Sequence, residues 1–231
     1  MASEPGEMAA ATGDIIEGGI SEEITVDGQQ LVDFLNSTQF KLQVNNIFGK
    51  TRGNRQEIEM GFTAFFDPTT SEWFIVYGTE AGINTLSVGK KGMEREDKQQ
   101  QLGRIPVIQA HNHHLRRSQI FAYTPSAADM GSIQALGTRS SGNPIGLIMI
   151  DRGPGNSEFV IYQRTRNALN FDKQGVFDQY RRDVETNETT RDVFDLLENY
   201  GYKGANFSFP LTPAGAAKLK DFSASFKKPS I

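Results

Sequence analysis

The chain has 231 residues, a formal net charge of −4 and no cysteine, which excludes disulfides, thiolate metal sites and a cysteine nucleophile. Its acidity argues against nucleic acid as a partner, and apolar runs such as Ile145–Ile150 are far too short to cross a bilayer. No basic start leading into an apolar stretch marks an export signal, so the expectation is a cytoplasmic globular protein with no membrane partner, whose 37% apolar residues supply a core over most of the length.

Residues 1–24 are rich in Gly, Ala, Glu and Ser without a sustained period and read as a disordered tail. Leu31, Phe34 and Leu35 then fall at helical spacing and predict a short helix over Gly28–Leu35, with a loop at Thr51–Arg55. Glu59–Asp67 alternates, placing Met60, Phe62, Ala64 and Phe66 on one strand face and Glu59 on the other. The turn formers Asp67–Ser71 lead into a second strand, Glu72–Tyr77, so the two strands predict a hairpin. Trp73, Phe74, Tyr77 and the Phe62–Phe66 set are expected in the core. Ile83–Val88 reads as a third strand, and the charged, Gln-rich Lys90–Gln101 as a solvated loop or an exposed helix.

Ile105–Ala110 reads as a buried strand that runs straight into His111, and Thr124-Pro-Ser126 opens a helix that Gly137 is expected to close. Strands at Ile145–Ile150 and Glu158–Tyr162 flank a loop of turn formers, Asp151–Asn156, which lacks the Lys-Ser/Thr of a phosphate-binding loop. The remainder reads as helical, over Val176–Glu185, Thr190–Tyr200 and Ala214–Phe222. The fold class expected is α/β, a sheet flanked by helices over residues 25–170, followed by a helical C-terminal extension over residues 171–231.

All three histidines of the chain lie within four positions, His111-Asn112-His113-His114. In an extended segment residues i and i+2 project to the same side, so His111 and His113 can aim two imidazoles at one point, as a divalent ion such as Zn²⁺ requires. A polar, His-rich loop is the competing reading of the cluster alone. Ser126-Ala-Ala-Asp129 has the spelling of a capping box, and the first helical turn favours an ionised Asp129. That carboxylate would complete a His₂-carboxylate set with a fourth position left for water. No His-Glu-x-x-His helix is present. The letters His-Asn-His do not make a nuclease site here, since that motif is spread over a longer unit and the chain is acidic.

The combination of His111-Asn112-His113, Thr124-Pro125-Ser126-Ala127-Ala128-Asp129 and a strand opening with Glu59 and closing with Asp67 resembles the JAMM (MPN+) metalloprotease motif, in the wording of its RadC-like branch. His114 stands where that branch has Pro, and the twelve residues His114–Pro125 exceed the family's usual spacing. Arg116 and Arg117 in this insertion read as a solvated loop, with reception of a substrate carboxylate as the alternative. The resemblance, covering roughly Glu57 to Gln163, implies an MPN/JAB-like (cytidine-deaminase-like) metal-binding domain over residues 25–170. It implies Zn²⁺ held by His111, His113 and Asp129, Glu59 as general base with Glu57 as its rival, and Ser126 as oxyanion donor. The implied partner is a protein or peptide substrate, ubiquitin-like proteins among the candidates, cleaved at a peptide or isopeptide bond. A non-catalytic MPN-type interaction module and an effector-like hydrolase on the same domain are the alternative functions.

The composition of the first residues carries one prediction. Deleting Met1–Gly19 should leave the thermal unfolding midpoint and cooperativity unchanged in calorimetry; a lost unfolding transition would place these residues in the core.

Overall fold

The two most apolar segments of the chain lie side by side. In a computed structural model, which describes residues 22–53, 59–77, 90–113, 122–153, 155–186 and 190–227, β4 (Ile105–His113) pairs in parallel with β5 (Ile145–Asp151), with Ile108 opposite Ile145 and His113 opposite Ile150. A parallel pair needs a crossover connection, and between them comes the helix α4 (Ala127–Arg139). Around this pair a six-stranded mixed sheet forms in the order β3-β2-β4-β5-β6-β7, where β2 is Gly61–Asp67, β3 Glu72–Tyr77, β6 Ser157–Arg164 and β7 Tyr202–Phe209. All its other neighbours are antiparallel. A separate antiparallel pair joins β1 (Glu23–Val26) to β8 (Ala224–Lys227).

Both faces of the sheet are covered, which explains why β4 and β5 read as continuous apolar runs and not as alternations. On one face Phe62, Phe66, Leu147, Met149, Phe159 and Phe207 pack against α1 (Gly28–Asn36), α2 (Thr38–Gly53) and α7 (Pro213–Leu219) through residues such as Leu31, Phe40, Val44 and Leu219. Phe34 of α1 stacks on Trp73 at 4.1 Å between ring centroids, tying this layer to the edge strand β3. On the other face Ile148, Ile150, Val160 and Tyr162 meet Met130, Ile133 and Leu136 of α4. Tyr180 and Val184 of α5 (Gln174–Thr186) and Leu197 of α6 (Thr190–Asn199) complete that layer. The hairpin, the strands after α4 and the burial of Phe62, Phe65 and Phe66 follow the sequence expectation. Trp73, Phe74 and Tyr77, expected in the core, are only half-buried on the edge strand β3, where Trp73 packs against the core and the Arg104 guanidinium covers the Phe74 ring. Among the described residues no helix is long and apolar enough to cross a membrane.

Four further expectations need correction. Lys90–Gln101 is a helix, α3, and it is not simply exposed: Glu96 is buried, accepting a hydrogen bond from Thr63 and pairing with Arg139 at 3.0 Å. Gly137 does not close α4, which runs on to Arg139; a Cβ at Gly137 would lie 2.8 Å from the Gly142 carbonyl, so the glycine serves close packing and not termination. The loop expected at Thr51 is the last turn of α2, a helix not expected at all although Phe40, Val44, Ile47 and Phe48 have helical spacing.

Fourth, the C-terminal region is more than a helical addition. Its Tyr202–Phe209 stretch is an edge strand paired with β6 along its whole length, and Phe207 and Phe209 enter the core. Interleaved Lys, Gly, Asn and Ser hid the period there. Residues 1–21 and the strand expected at Ile83–Val88 lie outside the described residues, and Glu23 and Ile24, assigned to the tail, belong to β1.

The closest contact within the sheet generates a test. Gly146 lies opposite Tyr162, whose ring covers it so closely that an added Cβ would come within 2.0 Å of Cζ. Tyr162 is buried on all sides and has nowhere to move. Gly146→Val should therefore cost about 1–3 kcal/mol or more of stability by overpacking, read as a lower urea midpoint.

Candidate metal centre

β4 carries its alternation past the apolar run. Because His111 lies opposite Ile148 and His113 opposite Ile150, both imidazoles project to the face covered by α4. The chain re-enters at the N-terminus of that helix, where Ser126 is the N-cap in extended conformation. The Asp129 N–H donates to Ser126 Oγ at 3.2 Å, and the Ser126 N–H donates to Asp129 Oδ2 at 2.7 Å. This reciprocal box fixes the Asp129 carboxylate at the positive end of the helix.

The carboxylate faces both histidines. Asp129 Oδ1 is 3.4 Å from His111 Nε2, Asp129 Oδ2 is 3.6 Å from His113 Nε2, and the two Nε2 atoms are 2.9 Å apart. Zinc bonds of ~2.0–2.1 Å at tetrahedral angles set their donor atoms ~3.3 Å apart, and here one donor atom from each of the three residues lies within 4.8 Å of the other two, close enough for a small ion to draw them together. His111, His113 and Asp129 are accordingly a group that could hold a metal ion. Their chemistry fits a borderline cation: two neutral imidazoles and one carboxylate, with no thiol in the chain.

Electrostatics bind the trio together. Burial, the largest influence on His111, pushes its imidazolium down, but the charge and hydrogen bond of Asp129, with Glu59 adding to them, outweigh it and hold the ring above its ordinary value. For Asp129 burial pushes the carboxyl up, and the charges and hydrogen bonds of His111 and His113 overcome it, leaving the group well below the usual carboxylate range.

Strand register brings the segment around Glu59 to the same strand end. Gly61 lies opposite His111, and both backbone groups of Met60 bond to Asn112: its carbonyl accepts from the Asn112 N–H at 3.0 Å and its N–H donates to Asn112 Oδ1 at 2.6 Å. Glu59 lies two residues before Gly61, the partner of His111. Its charge is felt at His111. Ser126 is exposed, and its cap function uses an oxygen lone pair, leaving the hydroxyl proton to donate. Glu57, His114, Arg116 and Arg117 lie outside the described residues.

Three contacts around the centre had no sequence signal. Asn112, between the two histidines, holds the backbone next to Glu59 with its side chain. Tyr180 of α5 donates its hydroxyl to the Pro125 carbonyl at 2.8 Å, steadying the residue before the cap. Tyr123 donates to Glu158, which also pairs with Arg152 at 3.1 Å. Glu158 lies opposite Ile150, itself opposite His113, so this ion pair flanks the centre two strands away. Only the bare letters Asn and Tyr stood for these roles, and such residues are common in any core. Comparison with known proteins gives no relative: no family model matches the chain, and no curated protein matches it.

The titration directions predict opposite pH behaviour with and without metal. Without metal, the raised His111 contributes stability present in full below the unfolded histidine value of ~6.5 and lost as pH rises through its folded value. The lowered Asp129 contributes stability present above ~3.9 and lost as pH falls through its folded value. Their pair should thus stabilise the metal-free protein most between those limits, and Asp129→Asn should remove that bulge from a stability-versus-pH curve. With zinc present, stabilisation should instead grow with pH, because bound histidines must be neutral. A chelator-competition titration should give about one zinc per chain, with weaker binding in Asp129→Asn.

Proposed function

We propose that this protein is a zinc-dependent hydrolase of amide bonds, a peptidase or isopeptidase working on the JAMM plan. The observation that carries the proposal is the gathering of His111, His113 and Asp129, one donor atom from each within 4.8 Å of the others, with the charge of the Glu59 carboxylate acting on His111. His111, His113 and Asp129 would hold the ion. When bound, zinc supplies an open coordination position and the Lewis acidity that makes water nucleophilic near neutral pH, at a pKa of ~7.

The chain's own residues perform the proton transfers. Glu59 takes a proton from the attacking water as its oxygen bonds to the carbonyl carbon. It then returns that proton to the amine nitrogen as the C–N bond breaks, so acid and base roles alternate on one carboxylate. Ser126 donates its hydroxyl proton to the oxyanion that develops on the carbonyl oxygen, an interaction worth about 3 kcal/mol in comparable sites. The capping box holds Ser126 and Asp129 in fixed relation, so the oxyanion donor and a ligand move together. The substrate is a peptide or protein, with ubiquitin-like fusions and short peptide libraries as the first to assay.

Substitution separates the base from the ligands. Glu59→Gln is nearly isosteric and should retain zinc and the melting temperature while turnover falls about 10²–10⁴-fold. A Glu57→Gln control should keep its activity. Activity retained in Glu59→Gln but lost in Glu57→Gln would move the base by two residues. Activity retained in both would remove the mechanism.

A further inference from the structure

At the end of the sheet away from the metal centre lies a cleft of about 800 Å³, within the range of small-molecule sites. It lies near the start of β5, five residues or roughly 17 Å of strand from Ile150, the neighbour of His113. Three cations line it, Arg164, Arg166 and Lys203, against one carboxylate, Asp172. In a chain of net charge −4 such a local excess of positive charge is out of character.

Among the described residues none of the three cations makes an ion pair. Arg164 donates to the Gly142 carbonyl at 3.1 Å, and Lys203 donates to the Asp221 carbonyl at 2.6 Å. Both partners are neutral oxygens. Burial pushes the Lys203 ammonium below the usual lysine range, and the charge of Asp221 pulls it part of the way back.

The rest of the lining defines the ligand. Ala168 is the one apolar side chain among the described residues that form the cleft; the others are hydroxyls and amides, Thr165 and Ser225 among them. Asn143 Oδ1 is buried without a hydrogen-bond partner, an acceptor in need of a donor. No aromatic face is available for a base or ring to stack on. We infer that the cleft is a binding site for a phosphate-bearing, hydroxyl-rich small molecule of the sugar-phosphate class, the phosphate held by Arg164 and Arg166. A phosphate oxygen accepts from guanidinium donors, while sugar hydroxyls both donate and accept along the polar wall.

The site is independent of zinc, so its test uses the full chain stripped of metal. Isothermal titration with ribose 5-phosphate should show saturable one-to-one binding, ribose alone should show none, and added salt should weaken the complex. Arg166 is exposed and holds up no other described residue, so Arg166→Gln should fold normally and weaken binding at least about tenfold. The inference is overturned if ribose 5-phosphate does not saturate, if Arg166→Gln binds it as well as the parent, or if a hexaglutamate peptide binds more tightly.

Discussion

The structure depends on one carboxylate doing two jobs. Asp129 caps the first turn of α4 with its partner Ser126, and the same two oxygens face the imidazoles of His111 and His113. A buried carboxylate is stable only when its charge is answered, and here the helix N-terminus and the histidines answer it from opposite sides. The cap therefore sets where the anion lies, and the anion sets the spacing of the three donors. A helix start placed elsewhere would leave two histidines on a strand with nothing to complete them.

The sheet provides the other half of that constraint. β4 and β5 are parallel and buried on both faces, so their interiors accept little but apolar side chains. The histidines lie at the strand end, where β4 exits the core at His111. The neighbouring antiparallel strand begins there, with Gly61 opposite His111, and Asn112 pins the residue after Glu59 by taking the Met60 N–H with its side chain. The C-terminal elements, far away in sequence, close the same region through the Tyr180 hydroxyl on the Pro125 carbonyl.

Much of this could be read from the residues. The period-two pattern of the hairpin and the density of apolar residues in β4 and β5 sufficed to find the central strands, and the i, i+2 histidines and the Ser-x-x-Asp capping spelling sufficed to bring three donors together. What escaped has a common physical cause: marginal amphipathicity. In α2 and β7 the buried positions are interrupted by Gln, Asn, Lys and Gly, and in each case the tertiary partner supplies the stability that local pattern does not advertise. Glu96 escaped similarly, since a charged helix hides one buried carboxylate whose partners, Thr63 and Arg139, are distant in sequence.

The central claim is that His111, His113 and Asp129 form one coordination set. X-ray absorption on the zinc-loaded chain reads it directly. The account predicts two imidazole nitrogens at ~2.0–2.1 Å with the remaining bonds from oxygen, and one imidazole fewer in His113→Ala. A spectrum without imidazole scattering, or one that His113→Ala leaves unchanged, would contradict it.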